Sequence, residues 1–230
     1  MDLDQLARNP AKGADLPKQE HREMIALTAD QVAALRVALA GSPHAALFDF
    51  LLGTGCRPGE ALGLRWQDVD PDSGRVTIRR ALTKVDGKPA FKAPKTKGSR
   101  RSLPLPASLV RTLRTHRKHQ AEHALKLGAS YDRAADLVFP NEAGGPLNLR
   151  FVTRRYFKPA VRAAGLPPTL RVYDLRHTHA TALLSQGVHV KVAAERLGHA
   201  TTQLTLDTYS HVLPDMQDEA ALRIEEALFQ

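Results

Sequence analysis

The sequence predicts an α+β fold, mainly helical, with a small antiparallel sheet of about three strands. Apolar residues recur at helical spacing over most of the chain, as in Val32, Leu35 and Leu39 and in the nearly all-apolar run of residues 45–52. Between Arg75 and Leu105 the pattern instead alternates, in Arg75-Val-Thr-Ile-Arg-Arg, Leu82-Thr-Lys-Val and Arg101-Ser-Leu-Pro-Leu. With 230 residues, 43% hydrophobic and 25% charged, the chain is long enough to bury one large core.

Residues 1–24 are polar and broken by prolines, and read as a linker. Thr28-Ala-Asp-Gln31 is a capping-box pattern that starts a first amphipathic helix near Ala29. Residues 45–52 form a buried helix ending at Gly53, and Arg57 then leads into Pro58-Gly-Glu60 at a new helix start. Asp86-Gly87 marks one hairpin turn of the sheet. Before the last strand lies Lys92-Ala-Pro-Lys95-Thr-Lys97-Gly-Ser-Arg-Arg101, the densest basic run of the chain. Residues 106–127 form a long helix whose Arg111, Arg114, His116, Arg117, Lys118 and His119 suggest a basic stripe. Residues 131–139 are irregular and end in an apolar run, residues 141–146 are a loop, and residues 147–164 are another helix. Asp174 is the expected N-cap of a helix with Arg176 in its first turn. A short helix over residues 189–197 stops at Gly198 and leaves His199 just beyond it, and residues 201–209 form the next short helix. Past Pro214, Met216, Ala220, Ile224 and Leu228 repeat at four-residue spacing, an amphipathic tail helix. The expected organisation is therefore a linker over residues 1–24, a main domain over 25–213 and a tail helix over 214–230.

A formal net charge of +9 and a pI near 9.9 favour a polyanionic partner such as nucleic acid. One cysteine, Cys56, permits no internal disulfide and fits a reducing compartment. Its position beside Arg57 invites a nucleophile reading, but a small buried residue lining a turn is the better expectation. No run approaches the roughly 18 apolar residues of a membrane span, and the N-terminus lacks a signal peptide's basic start, so a cytosolic protein is expected.

The chemistry sits in two segments. Arg171-Val-Tyr-Asp-Leu-Arg176-His-Thr-His, followed by Leu197-Gly-His199 and Tyr209-Ser-His211, sets an arginine, a histidine and a tyrosine at successive helix edges. A guanidinium fork grips phosphate oxygens bidentately, and a histidine donates to another. A tyrosine hydroxyl can attack phosphorus and be carried as an ester. Arg57 adds a second fork beside the backbone N–H groups of a helix N-terminus, a favourable place for an anion.

Thr54-Gly-Cys-Arg57-Pro-Gly-Glu60, Asp174-Leu-Arg176-His-Thr178, Leu197-Gly-His199 and Thr208-Tyr209-Ser-His211 stand in the order found in tyrosine recombinases. From about Thr28 to the C-terminus the chain resembles the catalytic domain of that family, of the phage integrase type. The resemblance implies the tyrosine recombinase catalytic-domain fold. It also implies site-specific cleavage and rejoining of DNA through a 3'-phosphotyrosyl ester, for integration or excision of a mobile element, inside a bacterial or phage-infected cell at the nucleoid. Tyr209 would be the nucleophile, Arg57 and Arg176 the charge stabilisers, and His199 a donor to phosphate. Lys95 in Pro94-Lys-Thr96 would protonate the leaving 5'-oxygen, with Lys97 as the alternative. The family's usual histidine or lysine three residues before Arg176 is here Tyr173, a hydrogen-bond donor to phosphate but a poor proton acceptor.

No cofactor is implied, because bond energy is kept in the ester and no Gly-x-x-x-x-Gly-Lys-Ser/Thr loop is present. No metal is expected either: His177, His179, His199 and His211 fit no zinc spacing, and His177 and His179 read as packing or hydrogen-bonding residues. The implied partners are double-stranded DNA, with no membrane, and further copies of the chain in a tetramer on DNA. A fragment without the family's N-terminal helical DNA-binding domain, which this chain begins too late to contain, would be monomeric in solution. The tail helix would dock on a neighbouring protomer or on its own domain. Two alternatives stay open: a non-catalytic DNA-binding remnant, and a relaxing topoisomerase of related chemistry.

Overall fold

The computed structural model describes residues 24–93, 100–210 and 224–229. The expected linker of residues 1–24, save Met24 itself, and Lys95, Lys97, His211 and most of the tail lie outside the described residues. Helix α1 (Ala29–Leu39) starts in the expected capping box, with Thr28 Oγ1 accepting from Gln31 N and the Gln31 side chain accepting from Thr28 N. Helix α2 (Ala45–Thr54) carries six buried residues, Phe48 and Phe50 among them, and is the centre of the core. It runs one residue further than Gly53, to Thr54, because Gly55 is the residue that takes the left-handed conformation and closes it. Helix α3 (Pro58–Leu62) follows at once, with Pro58 at its first position, where the missing N–H costs no helical hydrogen bond.

The β region departs from the expected single sheet of about three strands. Among the described residues there are five strands in two sheets: β1 (Val69–Asp70), β2 (Arg75–Ile78) and β5 (Arg101–Pro104) in the order β1-β2-β5, and a separate hairpin of β3 (Ala81–Val85) and β4 (Lys88–Lys92). The alternating pattern marks β2, β3 and β5. It misses β1, which is two residues long, and β4, whose Lys-Pro-Ala-Phe-Lys offers neither β-branched residues nor a buried face. The turn between β3 and β4 is the expected Asp86-Gly87, both at positive φ (49° and 76°) as a two-residue hairpin requires. In the three-stranded sheet, antiparallel pairing sets Val76 opposite Leu103 and Ile78 opposite Arg101, and these side chains turn inward.

Helix α4 (Ala107–Leu127) buries Leu109, Leu113 and Ala124 and exposes Arg111, Arg114, Arg117, Lys118 and His119. His116 leaves the expected basic stripe: its ring turns inward, stacks on Phe139 and hydrogen-bonds the Val138 carbonyl. Residues 147–164 are not one α-helix but α5 (Leu149–Val152), a π turn (Thr153–Phe157) and α6 (Lys158–Ala163). Pro159 explains the break, since it has no N–H to continue the α ladder and the wider turn absorbs the loss.

The chain ends its main body in α7 (Asp174–Ser185), α8 (Val190–Leu197) and α9 (Thr202–Tyr209). Asp174 is the first helical residue of α7 and not its N-cap: its carboxylate reaches back to Arg171, accepting from the backbone N at 2.7 Å and from the guanidinium. Two clusters hold the domain. The large one includes α1 to α4, the three-stranded sheet, α5, α6 and Leu175 of α7. The second is small and built by α7, α8 and α9 alone: Ala180, Leu184, Ala193, Leu197 and the ring of Tyr209. Of the expected tail helix, residues 224–228 are helical and expose Ile224 and Leu228.

Phe48 lies 5.3 Å from the stacked ring of Phe157 with both fully buried, so Phe48→Ala opens a cavity between α2 and the π turn. The variant should lose about 3–5 kcal/mol of stability, read as a lower urea midpoint at an unchanged m-value.

Candidate active site

Two helix ends, each closed by a left-handed glycine, meet across α7 and supply carbonyl groups to two arginines. Gly55 (φ 64°) ends α2, and its carbonyl accepts from Arg176 Nη1 at 2.7 Å. Gly198 (φ 68°) ends α8, and its carbonyl accepts from Arg57 Nη2 at 3.3 Å. Neither position has room for a side chain. A Cβ on Gly55 would stand 2.5 Å from the His179 ring, and one on Gly198 would stand 2.7 Å from Arg101 Nη1.

Arg176 is 2% exposed, and its Nη2 has no hydrogen-bond partner among the described residues. A buried donor on a charged group is costly to leave unpaired, so this nitrogen marks a place suited to an acceptor. Burial and the neighbouring Arg57 both press the Arg176 pKa down from its ordinary 12.5, although a guanidinium stays charged at neutral pH. Arg57 is half-exposed at the N-cap of α3 and holds Glu60 from its own backbone N–H (2.9 Å) and from Nη1 (3.1 Å).

Glu60 does more than cap its helix. It is buried, and its second guanidinium partner is the buried Arg101, which donates from Nη2 at 2.8 Å and from Nη1 at 3.1 Å. Arg101 also reaches the Arg196 carbonyl (2.7 Å) and so ties β5 to α8. Burial alone would raise the Glu60 pKa, but the hydrogen bonds and charges of Arg101 and Arg57 outweigh it and hold the carboxyl below its ordinary 4.5. Sequence reading had Arg101 as part of the basic run and Glu60 as a motif letter. The i, i+3 spacing of Arg57 and Glu60 at a helix start was the available signal for the first link, and nothing local signals the second.

Cys56 is fully buried, with its thiol pushed up by desolvation, the small packed residue that was expected. His179 is a strut: Nδ1–H donates to the Leu52 carbonyl at 2.7 Å and Nε2 accepts from Arg196 Nε at 3.0 Å, which fixes the neutral tautomer. Burial and Arg196 push it down to about 4.

His199 follows Gly198 and contacts the buried Thr205 of α9 through Nδ1 at 2.7 Å. Burial first, and then Arg176, Arg57 and Arg101, push it down to about 4, so the ring is neutral at pH 7. A hydroxyl that donates to Nδ1 leaves the ring proton on Nε2, where it can be given to an acceptor. Tyr209, the last residue of α9, is 2% exposed, and its hydroxyl meets His177 Nδ1 at 2.7 Å. Burial pushes its pKa up to about 12 against the pull of Arg176. Tyr173 is 40% exposed and packs edge-on against the His177 ring at 5.2 Å between centroids.

Arg57, Arg176, His199 and Tyr209, separated by up to 152 positions in sequence, thus sit around the junction of α2, α3, α7, α8 and α9, with Tyr173 at its rim. Lys95 and Lys97 fall outside the described residues. No group of three or more His, Cys, Asp or Glu side chains among the described residues could hold a metal ion. No described helix is long and apolar enough to cross a membrane.

Glu60 carries a testable consequence. A folded pKa below the unfolded one contributes stability that is complete above the unfolded value and is lost as pH falls through the folded value. Glu60→Gln should cost about 3–5 kcal/mol at pH 7, where it strips the carboxylate from a buried guanidinium. The deficit should shrink below about pH 4.5, in thermal unfolding followed from pH 7 to pH 3.

Comparison with known proteins bears on the family and the fold. The sequence profile described as the Phage integrase family matches residues 22–216. The chain is 33% identical over 232 residues to a tyrosine recombinase XerC-like protein of Caldanaerobacter subterraneus subsp. tengcongensis, covering 94% of this chain and 59% of that protein. It is 29% identical over 175 residues to the ICEBs1 integrase of Bacillus subtilis, covering 76% of this chain and 46% of the relative. It therefore spans about half to three-fifths of the length of these relatives. Among solved structures, the Tn1549 transposon integrase in complex with a circular intermediate DNA matches 91% of this chain and 68% of its own, with a TM-score of 0.73 at 21% identity, and so shares the fold. With the profile matched over most of its length and the arginine, histidine and tyrosine motifs gathered at one helix junction, the chain belongs to the phage integrase family.

Proposed function

We propose that this chain is the catalytic part of a site-specific DNA recombinase, which cuts and rejoins DNA through a 3'-phosphotyrosyl ester to integrate or excise a mobile element. The observation that carries the reading is the unpartnered Nη2 of the buried Arg176, in a helix junction that also holds Arg57, His199 and a buried tyrosine. That set suits a phosphodiester: two guanidinium groups for the charge gathered in the transition state, a neutral imidazole for a further oxygen, and a hydroxyl for attack.

In this reading Tyr209 attacks phosphorus, Arg57 and Arg176 neutralise the equatorial oxygens, and His199 donates from Nε2. Tyr173 lends a phenolic hydrogen bond to phosphate from the rim. Lys95, or Lys97 in its place, gives a proton to the departing 5'-oxygen. The exposed Arg111, Arg114, Arg117 and Lys118 of α4, with Lys84, Arg150, Arg154 and Arg162 along the groove between the β3–β4 hairpin and the α5–α6 segment, supply cations for a DNA backbone. The relatives' greater length leaves room for an N-terminal DNA-binding domain ahead of residues 1–24, with residues 25–213 catalytic and the tail over 214–230 joining protomers of a tetramer on DNA.

Nicked duplexes tiled across the DNA that flanks the gene, incubated without metal and resolved on denaturing gels, test the assignment. The wild-type chain should give a covalent protein–DNA band, and Tyr209→Phe should lose it while still retarding the same duplex. Arg176→Ala should slow capture by about 10²- to 10³-fold. Retardation without any band in the wild type would identify a DNA-binding remnant instead.

A further inference from the structure

We infer that His177, the residue after the second arginine, takes the proton from the attacking tyrosine. The inference deepens the recombinase reading and rests on it. Tyrosine must reach phosphorus as a phenoxide or lose its proton on the way, and here burial makes that harder, holding Tyr209 near 12. Tyr173, at the family's usual histidine or lysine position, is itself a phenol, a poorer proton acceptor than an imidazole. His177 Nδ1, at 2.7 Å, is the hydrogen-bond partner of the Tyr209 hydroxyl among the described residues.

The imidazole is suited to accept. Desolvation lowers its pKa below 6.5, so the ring is neutral near pH 7, and a hydroxyl donating to Nδ1 places the ring's own proton on Nε2. The groups that face it are Tyr173, Asp174, Arg171 and Arg176 from α7 and its lead-in, His199 beyond α8, and Tyr209 of α9. Asp174 favours the imidazolium, while Arg171 and Arg176 oppose it, and the two arginines keep the base free before attack. The ring is also fixed: the edge of Tyr173 packs on one side and the Tyr209 ring on the other, with centroids at 5.2 and 5.8 Å.

The step balances. The Tyr209 Oη–H bond breaks and its proton passes to His177 Nδ1, the Oη–phosphorus bond forms, and the phosphorus–O5' bond breaks with O5' protonated by the general acid. On rejoining, the 5'-hydroxyl gives its proton to the now deprotonated general acid as O5' attacks phosphorus, the Oη–phosphorus bond breaks, and the imidazolium returns its proton to the departing Oη.

Single-turnover capture on the duplex found by the flanking-DNA screen, followed from pH 6.5 to 9.5, reads this directly. With a neutral base in place the wild-type rate should be level across that range. His177→Asn and His177→Gln, each keeping a polar group on the helix, should capture about 10²- to 10⁴-fold more slowly at pH 7 and rise close to tenfold per pH unit, because only ionised tyrosine then attacks. A merely structural role would lower the rate and leave the profile level, and that result overturns the inference. So does a wild-type rate that itself climbs tenfold per unit, which needs no variant to fold. A duplex with sulfur in place of the bridging 5'-oxygen separates the two ends of the reaction, since a thiolate leaves without an acid: His177→Asn should remain slow on it, and restored capture would assign His177 to the leaving group. A wild-type chain with no tyrosine-dependent capture removes the recombinase reading and the inference together, whereas capture with a level His177→Asn profile removes the inference alone.

Discussion

The Glu60 carboxylate between Arg57 and Arg101 is the interaction on which the site depends. A phosphodiester site needs guanidinium groups close together and out of water, and like charges in such surroundings repel strongly. Glu60 is buried and offsets that repulsion for both Arg57 and Arg101. Because its two partners come from α3 and β5, the same carboxylate also joins the helical body to the three-stranded sheet. Two helix-ending carbonyls, at Gly55 and Gly198, complete the support by spending backbone acceptors on Arg176 and Arg57. A carbonyl orients a guanidinium without neutralising it, so the positive field remains available to an incoming phosphate.

The histidines divide by depth and partner, which their spacing in sequence did not foretell. His179 uses both ring nitrogens on protein groups and only braces α2 against α7 and α8. His199 and His177 each spend one nitrogen on a hydroxyl of α9, Thr205 for the first and Tyr209 for the second. One short helix is therefore read by two imidazoles, and its position sets both the Tyr209 hydroxyl and the His199 ring beside the arginines.

Much of this was legible in the sequence, and for identifiable reasons. The capping box at Thr28, the hairpin at Asp86-Gly87 and the stop at Gly198 are local backbone chemistry, readable from a few adjacent residues, while the stop expected at Gly53 falls at Gly55. The motif arginines and the tyrosine stood out because their residue types suit phosphate and their order matches the family. Long-range pairings were not legible. Arg101 looked like one more charge of a basic run, and only the fold brings it 41 positions back to Glu60. The strand β4 was hidden because its stability comes from pairing with β3, not from its own composition. Asp174 looked like a cap, and the pull of Arg171 turned its carboxylate the other way. The π turn was hidden as well, since a proline announces a break but not how the chain will absorb it.

The small cluster formed by α7, α8 and α9 stands apart from the main core, and Tyr209 is part of it. Its four other buried members, two from α7 and two from α8, form the apolar packing around Tyr209 of α9. Detaching α9 therefore exposes a small apolar area, while unfolding the domain exposes the whole core around α2. Opening of α9 should therefore cost far less than global unfolding. In the proposed recombinase, such a local rearrangement would move the Tyr209 hydroxyl relative to Arg57 and Arg176 while the core around α2 stays folded.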